Sequence, residues 1–99
     1  MSPEKLDFSK IPKYYVYVLL SLRDGRFYVG FTISLKDRIQ KHAKGEVKAT
    51  FYRRPLLLVH YEYFIDKADA KAREVFLKSG FGRDQLRASL KRTLGKYLS

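Results

Sequence analysis

The chain contains no cysteine, which excludes disulfides, thiolate catalysis and cysteine-based zinc sites and fits a reducing compartment. It also lacks a long apolar run. The longest, Tyr14 to Leu20, is far short of the roughly 20 residues a membrane helix needs. The first residues show no basic start, apolar middle and small-residue cleavage site of a secretory signal. These absences predict a soluble, intracellular, cytoplasmic protein without a membrane partner. Acidic residues are scarce as well: ten Asp and Glu stand against 21 Lys and Arg, leaving a net charge of +11. Such an excess makes a positive field that attracts polyanions, nucleic acid being the commonest. A solubilising surface would carry the same excess, so charge indicates a partner class and says nothing about chemistry. There are no internal repeats and no low-complexity segments. What remains is 99 residues, 45% hydrophobic and 15% aromatic, enough for one compact domain with its own core.

Residues 1–13 are mixed and polar with no period, and read as a loose N-terminal arm; 14–99 form the domain. Tyr14 to Leu20, rich in β-branched and aromatic residues, predicts a buried strand. Asp24-Gly25 is a favoured two-residue hairpin turn, leading into a second strand over Phe27 to Thr32. Ser34 to Asp37 matches a capping box, opening a helix to about Lys44 with Gly45 just past its end; Leu35 and Ile39 should face inward. Glu46 to Arg54 reads as a basic, aromatic loop, and Leu56 to Phe64 as a third strand. Asp66 starts a helix to about Ser79, stopped by Gly80. A last helix follows Gly82 and Arg83, with Leu86, Leu90, Leu94 and Leu98 as its apolar stripe. The order β-β-α-β-α-α predicts an α+β domain: a small three-stranded antiparallel or mixed sheet flanked by helices.

Five features bear on chemistry. Tyr15-Val16-Tyr17 is followed, after ten intervening residues, by Tyr28-Val29-Gly30. A two-residue turn would set Tyr17 opposite Thr32 and Tyr28 opposite Ser21, with Tyr17, Tyr28 and Thr32 on one face and the two rings apart. Strand tyrosines are also common packing residues. Arg38 and His42, four apart, project from one helix face; an Arg fork can hold a phosphate and an imidazole can join it, although a solvated face has the same pattern. Glu74 shares its stripe with Ala70 and Leu77, which predicts a partly buried carboxylate, either metal-bound or paired with Lys78 or Arg73. Lys48 to Arg54, including Arg53 and Arg54, interleaves cations with Phe51 and Tyr52, as a binder of single-stranded or distorted nucleic acid would. Lys78 to Arg83 is a glycine-punctuated helix junction whose amides could approach a phosphate, or a simple turn.

In order, the chain shows Tyr-x-Tyr, Tyr-x-Gly, Thr32, Arg-x-x-x-His and a later helical glutamate. This order resembles the GIY-YIG nuclease superfamily, and within it the small stand-alone proteins similar to the nuclease domain of the UvrC excision-repair protein. The segment Thr50 to Glu62 resembles those small proteins too, and the likeness runs from about Tyr14 to Leu90. It implies a nuclease that hydrolyses phosphodiester bonds with one divalent ion, magnesium or manganese, held by Glu74 alone among protein groups. It implies that Tyr17 and Tyr28 are the signature tyrosines, one of them orienting or deprotonating water, with Tyr28 favoured. Arg38 would clamp the phosphate, His42 would assist, and Gly30 would permit close backbone approach. Thr32, Lys48, Arg53, Arg54 and Arg83 would contact substrate. The first motif reads Tyr-Val-Tyr where the family has Gly-Ile-Tyr. No asparagine follows the glutamate, and no lysine follows the second signature; Ser79 or Arg83 could take part of the asparagine's role.

The expected partner is nucleic acid, DNA in preference to RNA, recognised by structure and not by sequence, in repair or recombination. The alternatives are a nucleic-acid-binding module of the same fold with weak or lost catalysis, and a structural protein that binds an acidic partner.

Overall fold

The structure, a computed structural model, describes residues 7–98. Strand β1 (Tyr14–Ser21) is the middle strand of a three-stranded sheet of order β2-β1-β3, with β2 (Phe27–Thr32) and β3 (Leu56–Phe64) both antiparallel to it. Its central place explains its composition: Val16 to Leu20 are buried on both faces, so neither face needs polar residues. Helices α1 (Leu35–Ala43), α2 (Lys67–Lys78), α3 (Gly80–Ser89) and α4 (Lys91–Leu98) complete the expected α+β architecture. A 3-10 helix over Lys48–Arg53 replaces the expected loop before β3. Of the N-terminal arm, residues 1–6 lie outside the described part. The remainder forms a 3-10 turn, Phe8–Lys10, capped by Asp7, and the Tyr63 hydroxyl donates to the Pro12 carbonyl.

The hairpin differs from the expected register. Tyr17 faces Gly30, Leu19 faces Tyr28 and Tyr15 faces Thr32, a shift of two residues. The cause is a longer loop: Ser21 N–H donates to Arg26 O at 3.0 Å, and Gly25 N–H to Ser21 O at 2.8 Å. The Ser21 hydroxyl accepts from the amides of Arg23 and Asp24, so Leu22 and Arg23 join the turn. Only Gly25, at φ 73°, takes the left-handed conformation that a glycine tolerates. A shift of one residue would have moved every side chain to the other face; a shift of two preserves the face.

One face of the sheet carries Val16, Val18, Leu20, Phe27 and Val29, which pack against Ala70 and Leu77 of α2 and Leu86 of α3. Each fully buried aliphatic or aromatic side chain contributes about 1.5–3 kcal/mol relative to exposure. At Gly82 an added Cβ would lie 2.0 Å from Phe76 O, so the α2–α3 crossing requires glycine there. The expected single C-terminal helix is two. Residues spaced by four advance about 40° around an α-helix at each step, so a leucine at every fourth position winds off a flat core. The break at Leu90 (φ −106°, ψ 22°) restarts the helix and keeps both Leu90 and Leu94 against the core. Nor does Gly80 end α2. Ser79 is the junction, and its hydroxyl accepts from Gly82 N–H to cap α3. This capped turn uses the amide that could otherwise have approached a phosphate.

Candidate functional site

The opposite face of the sheet presents Tyr17, Tyr28 and Gly30, covered by α1. The shifted register makes the two tyrosines diagonal neighbours, with ring centroids 6.4 Å apart. Gly30 is required by the first of them. An added Cβ would stand 2.4 Å from both Cζ and the hydroxyl oxygen of Tyr17, so the ring crosses directly over bare backbone. The close approach expected at Gly30 is therefore made by the protein's own tyrosine.

Helix α1 points Arg38 and His42 at the same place, and His42 is its one buried residue. Leu35 and Ile39, expected to face inward, are half-buried. The Tyr17 hydroxyl lies 2.8 Å from His42 Nε2 and accepts from Arg38 Nε at 3.3 Å; His42 Nδ1 lies 2.7 Å from Thr50 Oγ1. Tyr17 and Thr50 are 0% exposed and His42 1%. Burial, and then the positive charge of Arg38, push His42 down to about 4, so the ring is neutral at pH 7 and carries one proton. Because Arg38 already donates to the Tyr17 oxygen, the phenol is free to donate to Nε2, which leaves the His42 proton on Nδ1 to donate to Thr50. The result is one directed chain, Arg38 to Tyr17 to His42 to Thr50, with no buried side-chain polar atom left unpartnered among the described residues. Burial raises the Tyr17 hydroxyl above its usual range despite the lowering effect of Arg38, with Tyr28 and Glu74 adding to the rise. The Arg38 guanidinium is held charged chiefly by Tyr17, with a further contribution from Tyr28.

Tyr28 is half-buried and packs its ring edge-on to His42, centroids 5.2 Å apart. Its hydroxyl has no hydrogen bond among the described residues. Glu74, 9% exposed, receives Lys71 Nζ at 3.1 Å and Lys78 Nζ at 3.0 Å. Burial opposes its charge, but the two ammonium groups more than offset this and hold its carboxyl below the usual range. Glu74 is thus ionised at neutral pH. Arg73, one of its expected rivals for pairing, instead forks onto Glu62 of β3.

Other expected contacts lie elsewhere. Thr32 closes a local turn with Ser34. Lys48 is exposed at the start of the 3-10 helix. Arg53 binds Asp24 at 2.7 Å and the carbonyls of Arg26 and Phe27, tying the 3-10 helix to the hairpin loop. Arg54 donates to Phe51 O and stacks on the Phe51 ring. Arg83 donates to the carbonyls of Lys78 and Phe27. Sequence reasoning missed Thr50, the partner of His42, and Lys71. Thr50 is a lone hydroxyl in a basic aromatic segment, and its local pattern carries no signal of burial.

The family model described as the GIY-YIG catalytic domain matches residues 13–87. The chain belongs to the GIY-YIG family. It is also similar to proteins named UPF0213. One, from Staphylococcus haemolyticus, is 39% identical over 74 residues, covering 74% of this chain and 88% of the relative. Another, from Lacticaseibacillus paracasei, is 44% identical over 66 residues, covering 66% and 73%. The solution NMR structure of a UPF0213 protein from Bacillus halodurans matches with TM-score 0.50 and 39% identity, covering 80% of this chain and 85% of that one. Within the GIY-YIG domain both tyrosine signatures fall on paired strands and the glutamate on α2. No helix among the described residues is long and apolar enough to cross a membrane.

Proposed function

We propose that this chain is a divalent-metal-dependent endonuclease that hydrolyses phosphodiester bonds of nucleic acid, DNA in preference to RNA, and selects its substrate by structure, as a repair or recombination nuclease does. The observation that carries the reading is the convergence of Arg38 and His42 on the buried Tyr17 hydroxyl in a GIY-YIG domain. No cluster of three or more His, Cys, Asp or Glu able to hold a metal exists among the described residues. A lone ionised carboxylate nevertheless suits magnesium, which keeps most of its water shell and uses one or two carboxylates. Lys71 and Lys78 have half-exposed side chains and can swing aside to release it. Bound there, the ion would polarise the scissile phosphate and stabilise the leaving oxygen.

The chain's own residues divide the remaining work. Arg38 spends Nε on Tyr17 and keeps its other donors for a phosphate oxygen, neutralising charge that grows in the transition state. Tyr17, His42 and Thr50 aim that guanidinium. Tyr28, whose hydroxyl neighbours the Arg38 guanidinium, orients the attacking water. A P–O bond forms to this water and the P–O bond to the leaving sugar oxygen breaks, while the water's proton is released and the leaving oxygen is protonated. Lys48, Arg54 and the exposed ring of Tyr52 would meet flanking substrate.

The deciding experiment incubates pure protein with end-labelled single-stranded, duplex and branched DNA and an RNA, with magnesium or manganese and with EDTA. Metal-dependent cleavage should fall by about 10³-fold or more in Glu74→Ala. Cleavage surviving that change would sink the assignment of Glu74. A second reading, a binding module with lost catalysis, is favoured by the two ammonium groups on Glu74 and by the absence of the asparagine; binding without cleavage of any substrate would select it.

A further inference from the structure

At the turn end of the hairpin, an open cavity of about 610 Å³ is lined by Asp24, Arg26, Phe27, Arg53, Arg83 and Arg87. Four guanidinium groups and one carboxylate leave three positive charges in excess, and that carboxylate is already engaged by Arg53. The arginines are of two kinds. Arg53 and Arg83 are fixed by the Phe27 carbonyl and by other backbone oxygens, yet Arg53 keeps Nη1 and Arg83 keeps Nη2 unspent. Arg26 and Arg87 make no side-chain hydrogen bond among the described residues, and Arg87 lies over the Phe27 ring at 5.3 Å. Packed cations without an anion repel one another. A wall of rigid and free guanidinium groups is suited to a phosphate, which each can fork onto.

The position of the cavity identifies the source of that phosphate. Along the edge strand β2, Lys71 sits over Phe31 at one end and Arg83 meets Phe27 O at the other, four residues or about 13 Å apart. Glu74 stands three residues along α2 from Lys71, about 4.5 Å. It is followed by Lys78, whose carbonyl receives Arg83. The cavity therefore lies beyond Glu74, towards the hairpin turn, on a basic track that runs through Lys71, Lys78 and Arg83. We propose that this arginine cavity is a backbone subsite, gripping a phosphate of the bound strand to one side of the scissile bond. The inference rests on the nuclease reading for its direction along the strand, while the binding itself is independent of catalysis.

The test uses the full chain, a fluorescent single-stranded oligonucleotide and the matching duplex, in EDTA, with anisotropy read across a salt series. Arg26→Ala/Arg87→Ala should bind about tenfold more weakly, and its salt slope should fall by about one, for the one phosphate released. Under magnesium, shortening the substrate stepwise on one side should weaken the wild type and leave the double variant unchanged. An Arg26→Lys/Arg87→Lys variant with wild-type melting should recover part of the affinity. Unchanged affinity and slope in a folded double variant would overturn the subsite, even if Glu74-dependent cleavage is present. Conversely, arginine-dependent binding without any cleavage would sustain the subsite and sink the nuclease reading. Displacement of the oligonucleotide by micromolar inorganic phosphate or pyrophosphate, lost in the double variant, would assign the cavity to a free phosphoryl ligand and overturn the backbone assignment.

Discussion

Along the middle of β1 the two sides of the sheet are equally dry and chemically opposite. Val16, Tyr17 and Val18 follow one another in β1, all 0% exposed, yet the valines meet hydrocarbon from α2 and α3 while Tyr17 meets Arg38 and His42 from α1. On the hydrocarbon face any apolar group of the right volume serves, because burial is non-directional. On the tyrosine face each polar atom depends on a partner at one distance and angle, since an unpaired buried group costs more than its hydrogen bond gains. Stability should therefore be concentrated on the first face and function on the second.

That contrast is broken or upheld by a pair of substitutions. Leu77→Ala opens a cavity under the apolar face and should cost 2–5 kcal/mol, seen as a lower denaturant midpoint, while cleavage per folded molecule at low temperature stays near wild type. Tyr17→Phe keeps the ring but strips the hydroxyl from both Arg38 and His42; it should cost about 1–3 kcal/mol and about 10²-fold in cleavage, because the phosphate clamp loses its aim. Equal activity losses in the two variants would show that the faces are not separable.

Acidification tests the same network without a mutation in the wild type. His42 titrates at about 4 in the fold against roughly 6.5 in an unfolded chain. Above pH 6.5 neither state binds the proton and nothing is lost. Below it the unfolded chain takes a proton that the buried ring refuses, so stability falls as pH drops from 6.5 towards 4, by about 3 kcal/mol at the limit. His42→Gln should flatten that window. The paired carboxylates Asp24, Glu62 and Glu74 are all held below their usual ranges, and their loss belongs to lower pH. A wild-type midpoint flat from pH 6.5 to 4.5 would mean that water reaches the ring.

Much of the apolar face is legible in sequence, because its rule is local. The β-branched run of β1 and the Ala70–Leu77 stripe of α2 announce themselves by period. The tyrosine face is legible only in part. Alternation places Tyr17 and Tyr28 together on one side under either register, but their contact depends on a loop that the Ser21 side chain lengthens. Whether the polar stripe of α1 turns inward depends on partners far along the chain: Tyr17 lies 25 residues from His42, and Thr50 eight. A solvated Arg-x-x-x-His and a buried one have the same letters. The same is true of Glu74, where Lys78 is foreseeable at i+4 and Lys71 needed only the reverse count at i−3.

The smallest effect separates the helices of the two faces. Ser34 before α1 and Asp66 before α2 both match helix-start patterns, but they do different things. Asp66 accepts from the amides of Ala68 and Asp69, satisfying donors that the first turn leaves open. The Ser34 hydroxyl makes no such bond and donates instead to the Asp37 carboxylate at 2.9 Å, while Ser34 N–H donates to Thr32 Oγ1, so neither bond of the expected reciprocal capping box is made. Asp66→Ala should then cost about 1 kcal/mol, and Ser34→Ala only a few tenths, since an exposed hydroxyl–carboxylate pair exchanges readily with water. Denaturant midpoints of the two variants, measured side by side at neutral pH, check the difference. A Ser34→Ala loss as large as that of Asp66→Ala would show that the serine does cap α1 in solution, and that the helix carrying Arg38 and His42 is held at its start as firmly as the helix carrying Glu74.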